Sequence, residues 1–210
     1  MLGERVLRNV RRGPVDGLEI GQRDMEVVQF IAEEALLGFT FEGLKRRLGA
    51  HPETLSRILD RLEAQQVLEK SESGYRVTEK GREVAALRQL SASEARVTLL
   101  KTLLPRVDNP RESILQLRGR WFGPLRWLGY SDDEKGIGLK WITEDGGVQV
   151  DAIFGGGELT IEGRIREGRN LTDAIKAAHL LVGYISKVYP AQAGPRMAYY
   201  GLAGFSLPPN

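Results

Sequence analysis

The residue types that most often carry catalysis or bind metal ions are scarce in this chain and far apart. Its 210 residues contain no cysteine and two histidines, His51 and His179. The absence of cysteine excludes disulfides, thiolate metal ligands and cysteine nucleophiles. Because no pair of histidines has the spacing of a zinc or iron site, we expect no metal, no cofactor and no catalytic residues. The sequence therefore favours a protein that is not an enzyme.

Two segments resemble ligand-binding loops in composition alone. FGGGE at 154–158 is rich in glycine, but it lacks the GK[ST] ending of a phosphate loop and lies between two predicted strands. SDDEKG at 131–136 clusters carboxylates without the spacing of a calcium loop. A glycine-rich hairpin and a solvated turn account for these two segments.

All three tryptophans fall within a short stretch of the C-terminal half. Aromatic residues at strand spacing are usually part of a core, but concave sites are also lined by aromatic side chains with a few polar groups. Arginines 118, 120 and 126 supply such polar groups here. Both interpretations stay open, and the second gives a candidate ligand or partner surface formed by Trp121, Trp127, Tyr130 and Trp141.

The composition is that of an ordinary globular protein, with 41% hydrophobic and 28% charged residues and a formal net charge of +2. No apolar run is long enough to span a membrane, and the N-terminus lacks a signal-peptide core. We therefore expect a soluble cytoplasmic protein with no membrane partner. Residues 1–90 hold as many acidic as basic residues, so a nucleic-acid surface in this region requires segregation of charge.

Residues 21–90 show a regular succession of helix and strand signals. Apolar residues at helical spacing predict a helix over 23–37, and Thr40 is a suitable N-cap for a second helix over 41–48. Gly49 provides a left-handed stop, and Pro52 fits the first position of a third helix. Residues 67–77 predict two short strands around a polar tip, and Thr78 caps a further helix.

Two stretches of this region, LGAHPETLSRILDRLEAQQVLEK and GYRVTEKGREVAAL, resemble the winged helix-turn-helix transcriptional regulators of the MarR-like and related archaeal families. The resemblance covers about residues 21–90. His51 stands where these proteins usually have a Ser, Thr or Asp cap, and Gln66 where they usually have Gly.

The resemblance implies duplex DNA as a partner. In such proteins the exposed N-terminal residues of the recognition helix contact base edges in the major groove, and basic residues around it contact phosphates. Alternatively, these arginines are surface salt-bridge partners of Glu42, Asp60 and Glu63. The candidates for base contacts are Glu53, Thr54, Ser56 and Arg57, and those for phosphate contacts are Arg46, Arg47, Arg61, Lys70 and Arg76.

Residues beyond 90 predict a second region. A pattern with two apolar seams over 91–109 predicts a linker or dimerisation helix, and from 114 the apolar period changes from 3.6 to 2. Alternating residues, including Leu115, Leu117 and Trp121, predict about five antiparallel strands. TEDGG at 143–147 predicts a hairpin, and a helix near 172–188 has a suitable face to cover the sheet.

The predicted fold class is therefore α+β: an N-terminal winged helix-turn-helix domain over 21–90, a linker helix over 91–109, and a C-terminal antiparallel sheet of about five strands covered by a helix, over 110–210. Residues 1–20 are predicted to form a basic arm, which either is a disordered or packed N-terminus or enters the minor groove.

The predicted function is that of a sequence-specific DNA-binding transcription regulator with a C-terminal effector-sensing or assembly domain. We expect a homodimer because one small winged helix buries too little surface for tight specific binding. A small-molecule effector is a possible ligand of the second domain. The alternative is a winged-helix protein-interaction module of a larger assembly, such as a polymerase-associated factor, because residues 1–90 are neutral overall.

Overall fold

The structure, a computed structural model, describes residues 21–86, 96–105 and 108–188. The helices in these ranges are α1 (Gln22–Glu33), α2 (Phe41–Leu48), α3 (Pro52–Ala64), α4 (Glu79–Ala86), α5 (Pro110–Leu115) and α6 (Leu171–Val188). The strands are β1 (Gly38–Phe39), β2 (Leu68–Ser71), β3 (Gly74–Val77), β4 (Val97–Leu103), β5 (Leu125–Asp133), β6 (Gly136–Thr143), β7 (Val148–Gly155) and β8 (Glu158–Ile165).

These eight strands form one antiparallel sheet in the order β2-β3-β1-β5-β6-β7-β8-β4. The two-residue strand β1 joins its halves, because Gly38 pairs with Arg76 of β3 on one side and with Tyr130 of β5 on the other. The strands approach closely at this junction: a Cβ on Gly129 would lie 2.4 Å from the carbonyl oxygen of Gly38. Glycine on β5 therefore permits the hairpin β2–β3 and the strands β5–β8 to share one sheet.

The predicted fold class is wrong. We expected a separate winged-helix domain, a linker helix and a second sheet of about five strands, whereas a single eight-stranded sheet runs through both regions. Residues 97–103, which we placed in the linker helix, form β4 at the outer edge beside β8. The two apolar seams of this segment also suit a strand, and a short apolar run does not distinguish the two by its periodicity.

The strand predicted from Leu115 to Trp121 is also wrong. Residues 110–115 form α5, whose N-cap Asn109 accepts a hydrogen bond from the backbone N–H of Glu112. Pro110 occupies the first helical position, which tolerates proline. A turn follows, so the alternation of Leu115, Leu117 and Trp121 does not reflect an extended backbone.

Other local predictions are confirmed. Thr40 caps α2, because its hydroxyl accepts a hydrogen bond from the N–H of Gly43 at 3.1 Å, and Gly49 ends that helix with φ of 63°. Pro52 is the first residue of α3. His51 precedes it without a side-chain cap, and Gln66 takes the left-handed conformation usually reserved for glycine, with φ of 60°.

The sheet has a hydrophobic core on each face. Neighbouring residues of a strand point to opposite faces, so Trp127 and Trp141 pack beneath α6 while Leu128 and Ile142 pack beneath the N-terminal helices. Both faces are covered, and β6 and β7 are buried along most of their length. No helix in the described ranges is both long enough and apolar enough to cross a membrane.

Candidate functional site

Helix α3 presents one fully buried face and one exposed face. Its inner face consists of Leu55, Ile58, Leu59 and Leu62, all buried in the N-terminal core. On the outer face Glu53, Ser56 and Arg57 are exposed and Thr54 is half-buried. The four residues predicted to contact bases therefore lie together at the N-terminal end of one helix.

The hairpin β2–β3 lies beside the C-terminal half of α3. Lys70 on β2 places its Nζ 2.8 Å from Oε2 of Glu63 and 3.6 Å from Oδ1 of Asp60, and both carboxylates belong to α3. The hydrogen bond to Glu63 raises the pKa of Lys70, and the charge of Glu63 adds to that effect. We call the exposed residues of α3 and of this hairpin the α3–hairpin surface.

Each basic side chain on this surface has a carboxylate partner. Arg61 donates through Nε and Nη2 to Asp24 of α1, at 3.0 and 2.5 Å, and this hydrogen bond raises the pKa of Arg61. Arg76 donates to Glu69 at 3.0 Å across the hairpin. Arg57 is the least constrained, with 73% of its side chain exposed and Glu53 at 3.7 Å. The α3–hairpin surface is therefore not basic: residues 52–77 contain more acidic than basic side chains.

The structure places Arg46 and Arg47 away from the hairpin, at the C-terminal end of α2 beside the sheet. Arg46 pairs with Glu42 one turn earlier at 3.3 Å. Arg47 donates from Nε to Oε1 of Gln149 on β7 at 3.0 Å, and Arg166 from the end of β8 donates to the backbone oxygen of Arg47 at 3.2 Å. Arg47 therefore contacts the sheet and Arg46 bonds within α2, whereas Arg57 lies on α3 and Lys70 and Arg76 lie on the hairpin beside it.

Sequence reasoning missed a buried ionic cluster beneath the N-terminal helices. Glu34, which follows α1, lies 2.6 Å from Nη1 of Arg164 and 3.1 Å from Nζ of Lys140. Lys140 also contacts Asp151 at 3.0 Å, and Arg96 approaches Glu34 at 3.6 Å. The one signal in the sequence was the placement of Lys140 and Asp151 at polar positions of alternating strands.

At Lys140 and Asp151 the summed effect of neighbouring charges and hydrogen bonds on the pKa exceeds the opposing effect of burial. Burial of Lys140 opposes its ammonium charge, but the carboxylates of Asp151 and Glu34 outweigh that cost and hold its pKa above the ordinary value. Burial likewise opposes the charge of Asp151, and the charge of Lys140 together with a hydrogen bond from Gln149 lowers its pKa. Both groups are therefore charged at neutral pH.

The predicted aromatic surface is divided between three environments. Trp127 and Trp141 are core residues in edge-to-face contact, with ring centroids 5.3 Å apart. Trp121 is exposed, with the guanidinium of Arg126 stacked 4.7 Å from its ring. Tyr130 lies beneath Arg118 and lines, with Trp127, a cavity of about 340 Å³ next to the hairpin. The structure does not bring the four side chains together.

Within the described ranges, no group of three or more His, Cys, Asp or Glu side chains could hold a metal ion. His51 and His179 are both exposed and lie in different parts of the fold. Searches against protein-family models, curated proteins and solved structures find no match to this chain. The resemblance to winged-helix regulators therefore remains a prediction based on the residues quoted for it.

Proposed function

We propose that this chain is a sequence-specific DNA-binding regulator of transcription that acts as a homodimer. The observation that supports it is the exposed outer face of α3: a helix of 13 residues is fixed by its buried leucines and leaves its N-terminal polar residues uncovered. A B-DNA major groove is about 12 Å wide and admits one α-helix. The adjacent hairpin would lie along the phosphate backbone.

Arg57 is the principal base-contacting residue in this proposal. Its exposed guanidinium suits the O6 and N7 acceptors of guanine, and a good bidentate contact of this kind contributes about 1–3 kcal/mol of discrimination. Glu53, Thr54 and Ser56 flank it on the same end of α3. Lys70 and Arg76 would exchange their carboxylate partners for phosphates, a change that requires little reorganisation because both ion pairs are exposed.

In a homodimer, two copies of α3 would enter successive major grooves on one side of the duplex. The corresponding half-sites form an inverted repeat with centres about 34–36 Å apart. The predicted role of the C-terminal part in sensing an effector or in assembly belongs to the same proposal. Analytical ultracentrifugation at micromolar concentration, together with footprinting, tests it. A monomer that protects one half-site would contradict the homodimer.

The test of DNA binding is a selection of preferred duplexes from a random pool, followed by titrations of Arg57→Ala. We expect this variant to lose roughly 5- to 150-fold in affinity for the selected site and much less for random duplex. Arg111→Ala is the matched control, since Arg111 is also an exposed arginine with a carboxylate partner but lies outside the α3–hairpin surface. Equal losses on both duplexes would remove Arg57 from base recognition.

A second candidate function, a protein-interaction module of a larger assembly, is favoured by the acidic side chains of the α3–hairpin surface. Carboxylates next to each basic group oppose the approach of a phosphate backbone. The dependence of binding on salt distinguishes the two candidates, because each phosphate contact contributes close to one unit to the slope of log K against log salt. If no duplex binds with a measurable salt slope, the interaction module is the better interpretation.

A further inference from the structure

A cavity of about 430 Å³ lies where the C-terminal end of α2 meets the sheet. Three arginines from different elements line it: Arg47 of α2, Arg164 of β8 and Arg166 immediately after β8. Glu167 is the one acidic side chain among the lining residues. We call this site the arginine cavity.

Two hydrogen bonds and one ion pair connect the three guanidinium groups to the fold. Arg47 is fixed by Gln149 at 3.0 Å, and Arg164, which is 5% exposed, is fixed by Glu34 at 2.6 Å. Arg166 is exposed but donates one hydrogen bond to the last turn of α2, through the backbone oxygen of Arg47. The donors are therefore positioned before any ligand arrives, which reduces the entropy cost of binding.

The turn between β6 and β7 closes the cavity with backbone instead of side chains. Gly146 adopts φ of 72°, and a Cβ at this position would lie 2.7 Å from the backbone oxygen of Arg46. A larger residue would push the turn away from α2. Gly146 and Gly147 therefore form a wall of the cavity from backbone that is packed closely against Arg46 and the side chain of Arg169.

The residues that line the arginine cavity favour an anion. Arg47, Arg164 and Arg166 line it together with a single carboxylate, Glu167, so basic side chains outnumber acidic ones among the described lining residues. Guanidinium groups are planar, remain charged at all physiological pH values and match the oxygens of phosphate in a bidentate geometry. A phosphoryl group is the compact anion that this donor set fits.

We propose that the arginine cavity binds a phosphoryl group through Arg47 and Arg166. A Cβ at Gly49 would lie 3.7 Å from the Arg166 guanidinium, so this arginine sits beside the turn that joins α2 to α3. A backbone phosphate of DNA seated there would place the duplex next to the N-terminal end of α3. Binding of a DNA phosphate in the cavity rests on the proposed function. Binding of a small phosphorylated molecule there is independent of that function.

The primary test is thermal unfolding of the full chain in sodium pyrophosphate, compared with sodium chloride at the same ionic strength. We expect pyrophosphate to raise the Tm by several degrees through preferential binding to the folded state. Arg166→Gln should weaken this binding by roughly tenfold or more, because charge-assisted hydrogen bonds are lost. Glu167→Gln should strengthen it, because an opposing charge is removed.

Arg169→Gln is the matched control. Arg169 lies three residues further along the same loop, is also exposed and pairs with Asp145; it packs on Gly147 but is not among the residues that line the arginine cavity. Its replacement removes the same charge and should weaken pyrophosphate binding much less than Arg166→Gln does. No stabilisation by pyrophosphate beyond that of sodium chloride would overturn the proposal, as would equal effects of Arg166→Gln and Arg169→Gln.

Duplex titrations of the same variants identify the source of the phosphoryl group. If Arg166→Gln lowers the salt slope by about one unit and leaves base preference unchanged, the cavity holds a DNA phosphate. If it abolishes pyrophosphate binding but not duplex binding, the cavity holds a small phosphorylated ligand. If no duplex binds while pyrophosphate protection still requires Arg166, the proposed function fails and the phosphoryl site stands.

Discussion

The two faces of the central sheet both carry an apolar core, but one of them also holds a buried ionic cluster. Beneath α6 the sheet contributes apolar side chains such as Trp127, Leu139 and Trp141. Beneath the N-terminal helices it contributes Lys140 and Asp151, which meet Glu34 and Arg164 next to the apolar Leu128 and Ile142. The α6 face is therefore apolar, and the other face combines an apolar core with ion pairs between helices and strands.

This difference indicates different tasks for the two faces. Apolar burial is roughly proportional to area and has no directional preference, so the α6 face supplies stability without fixing a precise register. Buried ion pairs add little net stability, but a misplaced partner leaves an uncompensated charge in the interior. We expect Glu34 to set the position of α1, and with it α3, relative to the sheet.

The largest expected effect is on the apolar face. Trp141 is fully buried, contacts Phe122 and Trp127, and donates from its indole N–H to the backbone oxygen of Arg120 at 2.9 Å. Trp141→Ala should lower the free energy of unfolding by roughly 3–5 kcal/mol, measured by urea denaturation. Trp121→Ala is the control: its ring is 62% exposed, so a change above about 0.5 kcal/mol would contradict its placement at the surface.

A somewhat smaller loss is expected on the ionic face. Glu34→Ala removes the shared carboxylate of Lys140 and Arg164, and Asp151 still compensates Lys140 in part. We expect a loss of about 3 kcal/mol in unfolding free energy. Glu33→Ala, one residue earlier and half-buried, should cost about 0.5 kcal/mol or less. Similar losses for the two variants would mean that the ionic cluster is not a specific feature of this face.

The two faces also differ in how far the sequence alone predicted them. Boundaries set by local chemistry were predictable: Thr40, Gly49 and Pro52 delimit α2 and α3, and the Asp145-Gly146 turn joins β6 to β7. These signals lie within a few residues of the feature that they determine. The apolar face under α6 was predictable for the same reason, from alternation along β6 to β8 and the spacing of α6.

The ionic face and the continuity of the sheet were not predictable in this way. Strand β1 has two residues and so carries no period, and its partner on β5 lies about ninety residues later in the chain. Glu34 meets partners at positions 140 and 164, and Arg166 reaches α2 across a similar distance. Among the candidate site residues, the pairing of Arg61 with Asp24 had no signal either, because it depends on how α1 packs against α3.

The smallest expected effect is a pH dependence that distinguishes the ionic face from an exposed turn. The pKa of Asp151 is lowered although burial opposes its charge, because Lys140 and Gln149 stabilise the carboxylate; at Asp145 the Thr143 hydroxyl and the Gly147 N–H lower the pKa. A lowered pKa contributes stability that is present above the unfolded value of about 4 and is lost as pH falls through the folded value.

The unfolding free energy should therefore be nearly constant from about pH 5 to pH 8 and should fall in acid below about pH 4. Lys140, whose pKa is raised, contributes stability that is present below its unfolded value of about 10.5 and is lost only above it.

In urea denaturation at pH 7, 5, 4 and 3, Asp151→Asn should lower stability at pH 7 and flatten the decline in acid. Asp145→Asn should change the same curve less, because solvent screens this exposed carboxylate. If Asp145→Asn flattens the acid decline as much as Asp151→Asn does, the buried ion pairs are not the source of the pH dependence, and the contrast between the two faces would rest on packing alone.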